Sequence, residues 1–285
     1  MKAKLIDGKA IAQSIRDEVK AAVDEIVAAG RRPPALTVVL AGKDPASQVY
    51  VNSKKKACHA LGFASAEHLL DETVSEAALV ELINMLNHDP GVDGILVQLP
   101  LPKHIREQVI LEKIDPMKDV DGFHPVNVGR LVSNTPGLRP CTPAGCIELL
   151  KRAGVDLNGA KAVVIGRSNI VGKPVATLLL HENCTVTICH SRTRHLHDIV
   201  KSADVIIAAI GKPNFVTADM VKPGAAVIDV GINRMPDKKI VGDVDFEGVK
   251  KVAGCITPVP GGVGPMTIAM LMYNTLQAYR MRTGA

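Results

Sequence analysis

The chain has 285 residues, 47% of them hydrophobic but only 2% aromatic, and 34 basic against 29 acidic side chains give a formal charge of +5. The length allows two ordinary domains with ample core, the Val, Ile, Leu and Ala bulk suits parallel strands covered by helices, and the lack of aromatic rings argues against a base-stacking nucleic-acid surface. No apolar run reaches membrane-spanning length, and the amino terminus, with Lys2, Lys4 and Asp7, lacks a signal-peptide core. The six cysteines, with no C-x-x-C pair and no close His partner at metal spacing, read as free thiols of a soluble cytoplasmic protein without a metal centre.

Residues 9 to 29 carry helical periodicity through Ile11, Ile15, Val19, Val23 and Ile26, closed by Gly30. A strand from Ala35 to Ala41 follows. After it come a helix over Pro45 to Leu61, a strand near Phe63 to Leu70, a helix over Ser75 to His88 and a strand over Gly94 to Leu99, an alternating βα pattern. Pro116 to Pro140 holds four prolines and five Gly or Asn residues, which marks it as the junction between domains. The pattern then restarts, with Thr142 as a helix cap before Pro143 and strands from Lys161, over Thr185 to His190, Val205 to Ala209, Ala226 to Val230 and near Ile240. A final helix, Pro265 to Arg280, follows a glycine-rich turn and presents Ile268, Leu271, Met272 and Leu276.

Between Lys161 and Pro174 an apolar strand runs into Gly166-Arg167-Ser168-Asn169-Ile170-Val171-Gly172. This is an altered dinucleotide turn: Gly166 matches the first glycine of the fingerprint, while Ser168 and Val171 stand at the next two positions. Where NAD enzymes place an acid after the second strand, this chain has Ser191-Arg192-Thr193-Arg194. A carboxylate would repel a 2′-phosphate, whereas Arg167, Ser191 and a following arginine can donate to it, so the turn favours NADP over NAD. Arg192 and Arg194 also read plainly as solvated loop charges.

In the second helix, Tyr50 and Lys54 stand four residues apart on one face. The ring can stack on a planar heterocycle, and a lysine amine with a lowered pKa can exchange protons near neutrality; a solvated lysine face is the simpler alternative. Gln98 is a lone amide at the carboxyl end of an apolar strand, where α/β sheets place ligand-binding residues. Asp119 and Asp121 precede a glycine turn that they could simply cap.

With these residues in view, the chain resembles the bifunctional methylenetetrahydrofolate dehydrogenase/methenyltetrahydrofolate cyclohydrolase family. The resemblance covers nearly the whole sequence. It rests on Tyr50-x-x-x-Lys54, Val97-Gln98-Leu99-Pro100-Leu101-Pro102, Asp119-Val120-Asp121-Gly122, Pro140-Cys141-Thr142-Pro143, the Gly166 turn, Asp229-Val230-Gly231-Ile232-Asn233 and Pro258-Val259-Pro260-Gly261-Gly262-Val263-Gly264-Pro265-Met266-Thr267.

The resemblance implies an α/β fold of two α/β domains flanking a cleft. The second would be a Rossmann-like doubly wound parallel sheet, and the C-terminal helix would return to the first. It implies a folate-binding catalytic domain over 1–121 and 266–285 and an NADP-binding domain over 122–265. Lys54 is then the catalytic lysine, oriented by Gln98, with Tyr50 and Asp121 at the pterin. Leu99, Pro100, Pro260, Gly261 and Gly262 join Tyr50 and Asp121 in binding substrate, and Gly166, Arg167, Ser168, Ser191, Arg192 and Ile232 line the NADP site. The implied substrates are tetrahydrofolate derivatives, polyglutamylated ones included, and the implied assembly is a homodimer. The implied product feeds purine and formyl-methionine synthesis. Lys55 and Lys56 are expected to lower the pKa of Lys54 electrostatically. Two rival readings are an NADP-dependent dehydrogenase of a shikimate-like hydroxy acid and a nucleotide-binding module without catalysis.

Overall fold

The structure is a computed structural model that describes residues 3–42 and 44–284, so Lys2 lies outside it. It opens with strand β1 (Lys4–Leu5) and helix α1 (Gly8–Ala28), which is capped by Asp7 Oδ1 accepting the N–H groups of Lys9 and Ala10 at 3.0 and 3.1 Å. The buried stripe of α1 is Ala12, Ile15, Val19, Val23 and Ile26, close to the expected one.

A three-stranded parallel sheet follows, in the order β3-β2-β4, from β2 (Ala35–Ala41), β3 (Ala64–Leu70) and β4 (Gly94–Val97). Helix α2 (Pro45–Leu61) joins β2 to β3, and α3 (Glu76–His88) joins β3 to β4. All seven residues of the central β2 are buried, as a strand flanked and covered on both faces requires. Local chemistry sets the helix ends. Asp44 accepts from the Ser47 N–H at 2.8 Å at the start of α2, Gly62 adopts the left-handed conformation (φ 77°) at its end, and Ser75 caps α3. The core beneath this sheet joins Val39, Ile95 and Val97 to Leu79, Ile83 and Leu86 of α3.

The proline-rich stretch expected as the junction ends beside Cys141 and Thr142, where the chain passes from one compact unit to the other, and it is packed structure rather than a bare linker. It follows α4 (Glu107–Leu111) and contains α5 (Pro125–Val132), where Pro125 starts a helix that needs no N–H at that position. Buried Asn127 donates to Pro116 O at 2.8 Å and to Asp119 Oδ2 at 2.9 Å. Helix α6 (Cys141–Arg152) begins one residue before the expected cap. Thr142 therefore lies in its first turn, and its hydroxyl meets that of Thr267 at 2.8 Å.

The second sheet has six parallel strands in the order β1-β11-β8-β7-β5-β6, built from β5 (Lys161–Ile165), β6 (Thr185–Cys189), β7 (Val205–Ala208), β8 (Ala226–Asp229) and β11 (Cys255–Ile256) with β1. The intervening helices are α7 (Gly172–His181), α8 (Leu196–Lys201) and α9 (Phe246–Val249). The predicted strand near Ile240 is β10 (Ile240–Val241), paired antiparallel with β9 (Asn233–Arg234). Chain order reverses between β6-β5 and β7-β8, the doubly wound arrangement, whose switch point lies at the carboxyl ends of β5 and β7.

Helix α10 (Val263–Thr283) starts two residues before the proline expected to open it. The chain separates into two compact units, Met1–Gln13 with Thr142–Thr267 and Ser14–Cys141 with Ile268–Ala285. The first residues group with the six-stranded unit because β1 pairs with β11, so the units divide the chain differently from the expected 1–121 plus 266–285 and 122–265. Most of α10 belongs with the three-stranded sheet. Its Arg282 donates to buried Asp93 at 2.7 Å, and its Asn274 amide donates to the carbonyls of Val120 and Arg139 at 2.8 and 2.7 Å.

Candidate active site

In the three-stranded unit, strand register brings the expected residues together. β4 ends at Val97, and Gln98 continues its pairing by donating its N–H to Val39 O at 2.9 Å. On the other side Ile95 bridges Asp119 in parallel, and the chain then turns through Asp121, with the Gly122 N–H donating to Asp119 O at 3.0 Å. Helix α2 packs on β2 and β3 and brings Lys54 to the same strand ends.

Lys54 Nζ donates to Gln98 Oε1 at 2.9 Å. Gln98 Nε2 is itself bound to Leu99 O at 2.7 Å, which fixes the amide so that its oxygen faces the lysine. Lys54 is only 9% exposed, and burial lowers its pKa against the opposing pull of the Asp121 charge. The expected help from Lys55 and Lys56 is absent: both point outward, and Lys55 pairs with Glu67 at 3.1 Å. Burial, the reverse of the solvated lysine face, is what tunes this amine.

Burial pushes the Asp121 carboxyl up to about 6; Lys54 draws it down and Asp119 adds to the rise. Among the described residues nothing hydrogen-bonds to the Asp121 carboxylate. Asp119, by contrast, accepts from the His124 N–H at 2.8 Å and from Asn127 at 2.9 Å and anchors the turn. Tyr50, one turn before Lys54, is 46% exposed, leaving its ring face available. Leu99 and Pro100 follow Gln98 directly, partly buried and exposed respectively.

Sequence reasoning assigned no chemistry to Cys141. The structure places it, fully enclosed, within electrostatic range of Lys54 and Asp121, with its thiol donating to Val120 O at 3.3 Å; burial, then Asp121, keeps the thiol protonated. Its signal was the Pro140-Cys141-Thr142-Pro143 segment. A cavity of about 600 Å³ lined by Gln48, Asn52, Glu67 and Asp71 opens on another face of α2 and contains none of these groups.

In the six-stranded unit, β5 and β6 pair Ile165 with Cys189, and the Gly166 N–H donates to Cys189 O at 2.9 Å. Arg167 and Ser191 therefore each stand two residues beyond paired strand ends. Gly166 has φ 125°, and a Cβ there would fall 2.1 Å from Ala209 O, so only glycine makes this turn. Ser168 Oγ accepts from the N–H groups of Val171 and Gly172 at 3.1 and 3.2 Å and so ties the turn to the start of α7, its hydroxyl proton remaining a donor. Arg167, Ser191, Arg192 and Arg194 are exposed, and no carboxylate stands among residues 190–194. These residues fit a dinucleotide bearing a 2′-phosphate. Ile232 is 56% exposed.

Pro260, Gly261 and Gly262 lie in this unit too. Gly8 packs so closely on the turn that a Cβ there would sit 1.9 Å from Gly262 O. Among the described residues no group of three or more His, Cys, Asp or Glu could hold a metal, and no helix is long and apolar enough to cross a membrane.

Comparison with known proteins bears on both units. The tetrahydrofolate dehydrogenase/cyclohydrolase catalytic-domain model matches residues 6–121, and the NAD(P)-binding-domain model of that family matches residues 140–283. The chain is 55% identical over 282 residues to the bifunctional protein FolD of Acetivibrio thermocellus, covering 99% of each. Among solved structures, the bifunctional dehydrogenase/cyclohydrolase FolD of Campylobacter jejuni superposes with a TM-score of 0.96 at 52% identity, covering 98% of this chain and 99% of that one. That of Trypanosoma brucei, complexed with NADP cofactor and inhibitor, has a TM-score of 0.94 at 41% identity, covering 100% of both. With both domain models matched in order and the altered dinucleotide turn and buried lysine in place, the chain belongs to the tetrahydrofolate dehydrogenase/cyclohydrolase family.

Proposed function

We propose that this chain performs both reactions of its family through the residues described above. It oxidises 5,10-methylenetetrahydrofolate to 5,10-methenyltetrahydrofolate with NADP⁺, and it hydrolyses that cation to 10-formyltetrahydrofolate. The observation that carries the residue assignment is the buried Lys54, held by Gln98 at 2.9 Å beside Asp121.

Asp121, with no donors on its oxygens among the described residues, accepts the amino group and ring N–H that a pterin presents side by side. Tyr50 stacks on the substrate, and Leu99, Pro100, Pro260, Gly261 and Gly262 complete its binding. In the oxidation, NADP⁺ when bound accepts the hydride. The nitrogens flanking the methylene carbon stabilise the resulting cation, so the chain's own contribution there is positioning. Gly166, Arg167, Ser168, Ser191, Arg192 and Ile232 hold the dinucleotide, with Arg167 and Ser191 donating to the 2′-phosphate.

Hydrolysis asks more of the protein. As water adds to the one-carbon unit it must lose a proton, and the C–N bond that breaks must return one to nitrogen. The neutral amine of Lys54 takes the first proton and its ammonium supplies the second, a cycle that a lowered pKa allows near neutrality. The folate-binding part is thus drawn chiefly from 1–121 and 266–285, and the NADP-binding part from 122–265.

The same reading makes the protein a cytoplasmic homodimer. Among the described residues strand β6 has a neighbour on one side only, and its Ile188 is 40% exposed, an edge that a second copy can extend about a twofold axis. Light scattering on Ile188→Lys tests this: the expected result is a monomer.

Lys54→Ala decides the catalytic assignment. Methenyl hydrolysis should fall by about 10²-fold or more, while the folded variant still binds folate and NADP⁺. Hydrolysis near the wild-type rate would remove Lys54 from the mechanism.

A further inference from the structure

Asp229 and Asp243, buried in the cofactor unit, take no part in the chemistry above. Asp229 ends β8. Its Oδ1 accepts the N–H groups of Gly231 and Asp243 at 2.9 Å each, and its Oδ2 accepts that of Val244 at 3.0 Å. Asp243 is 0% exposed, and its carboxylate reaches back to the loop after β7. Oδ2 accepts from Ile210 at 2.7 Å and Gly211 at 2.9 Å, while Oδ1 accepts from Lys212 and from Asn233 Nδ2, both at 2.9 Å. Three consecutive backbone N–H groups converging on one anion make a rigid nest.

Both loops belong to the dinucleotide site. The one after β7 begins at Ala209, the residue whose carbonyl presses against Gly166, and it follows a strand at the switch point of the sheet. The one after β8 carries Ile232 between Gly231 and Asn233. A Cβ at Gly231 would fall 2.3 Å from Asp243 Oδ1, so this glycine lets the loop close on the carboxylate.

We propose that Asp243 is a positioning residue for the dehydrogenase half-reaction. Its single buried carboxylate fixes the loops after β7 and β8, and through them the surface on which Gly166 and the dinucleotide rest, without touching the cofactor. The inference relies on the placement of the NADP site above, Arg167 at the 2′-phosphate included. An asparagine at this position would keep one acceptor oxygen and turn an NH₂ group against backbone N–H donors that need an acceptor.

The two activities provide the control, because hydrolysis of supplied 5,10-methenyltetrahydrofolate needs no dinucleotide. In Asp243→Asn the KM for NADP⁺ should rise roughly tenfold or more while cyclohydrolase turnover stays within about twofold of wild type. Asn233→Ala removes one donor and spares the nest; it should raise that KM about threefold, and it carries the test if Asp243→Asn does not fold. An unchanged KM for NADP⁺, or a parallel loss of both activities in the two variants, overturns the proposal. Arg167→Ala separates the readings. If it weakens NADP⁺ binding and Asp243→Asn does not, the role of Asp243 alone falls; if neither does, the site itself is misplaced and the proposal falls with it.

Discussion

Asp121 is half-buried and Asp243 fully buried, and the protein surrounds the two carboxylates in opposite ways. Asp243 receives three backbone N–H groups and an amide. Asp121 receives no hydrogen bond among the described residues, only the charge of Lys54 nearby. Asp229 sharpens the contrast, for burial pushes it up to about 6 as it does Asp121, yet three backbone N–H groups already occupy its oxygens. A shifted pKa alone therefore does not mark the reacting carboxylate. Unfilled acceptor capacity at an accessible face does: the Asp121 oxygens are open to donors that a ligand brings, while those of Asp229 and Asp243 are already taken.

The largest way to break this contrast after Lys54→Ala is Asp121→Asn. The change leaves the volume but removes the charge and one of two acceptors, so the folate KM should rise about 10- to 100-fold, with NADP⁺ affinity unchanged. If folate binding held, the open acceptor would have no ligand role. Acidification tests the same group without mutation. The pKa of Asp121 is raised to about 6 and its ionised form is the one that accepts two N–H groups, so the wild-type folate KM should climb as pH falls through about 6. Asp121→Asn should lack that inflection, and titrations of KM against pH for the two proteins would show it.

Gln98 offers a smaller effect. Gln98→Glu places a second carboxylate against Lys54 and raises its pKa, so the alkaline rise in cyclohydrolase turnover should move to higher pH. Gln98→Ala should cost roughly tenfold in turnover by loosening the amine, without that movement. Smallest is the cofactor end. Arg167→Ala should weaken NADP⁺ by about tenfold and NAD⁺ hardly at all, whereas the exposed Arg192→Ala should change the NADP⁺ to NAD⁺ preference by only about threefold. Equal losses for both dinucleotides would remove the 2′-phosphate from the account.

Much of this was legible in order along the chain. Periodicity and end chemistry placed α2 over Pro45–Leu61, and the lone amide at Gln98 marked the strand end where Lys54 is found. Pairing between distant segments was less visible. The two-residue strands β1 and β11 carry too little pattern to be seen alone, and their pairing moves the first residues into the six-stranded unit. Prolines between Pro116 and Pro140 marked the junction, beside which the units divide at Cys141, but composition did not show that one of them, Pro125, starts a helix packed there. The run Lys54-Lys55-Lys56 suggested mutual repulsion, but helix geometry turns neighbours apart, and the depth at which Lys54 is buried depends on α2 packing over β2 and β3.

The last helix has a consequence for how the protein is made. Asn274 fills the carbonyls of Val120 and Arg139, Met272 lies against Cys58 at 3.7 Å, and Arg282 neutralises buried Asp93 together with Arg32. All three contacts join α10 to segments that precede β5 in the chain. While a ribosome is still building the six-stranded unit, the nascent three-stranded unit therefore exposes apolar surface and leaves Asp93 short of one of its two arginines, and it can close only once α10 has emerged.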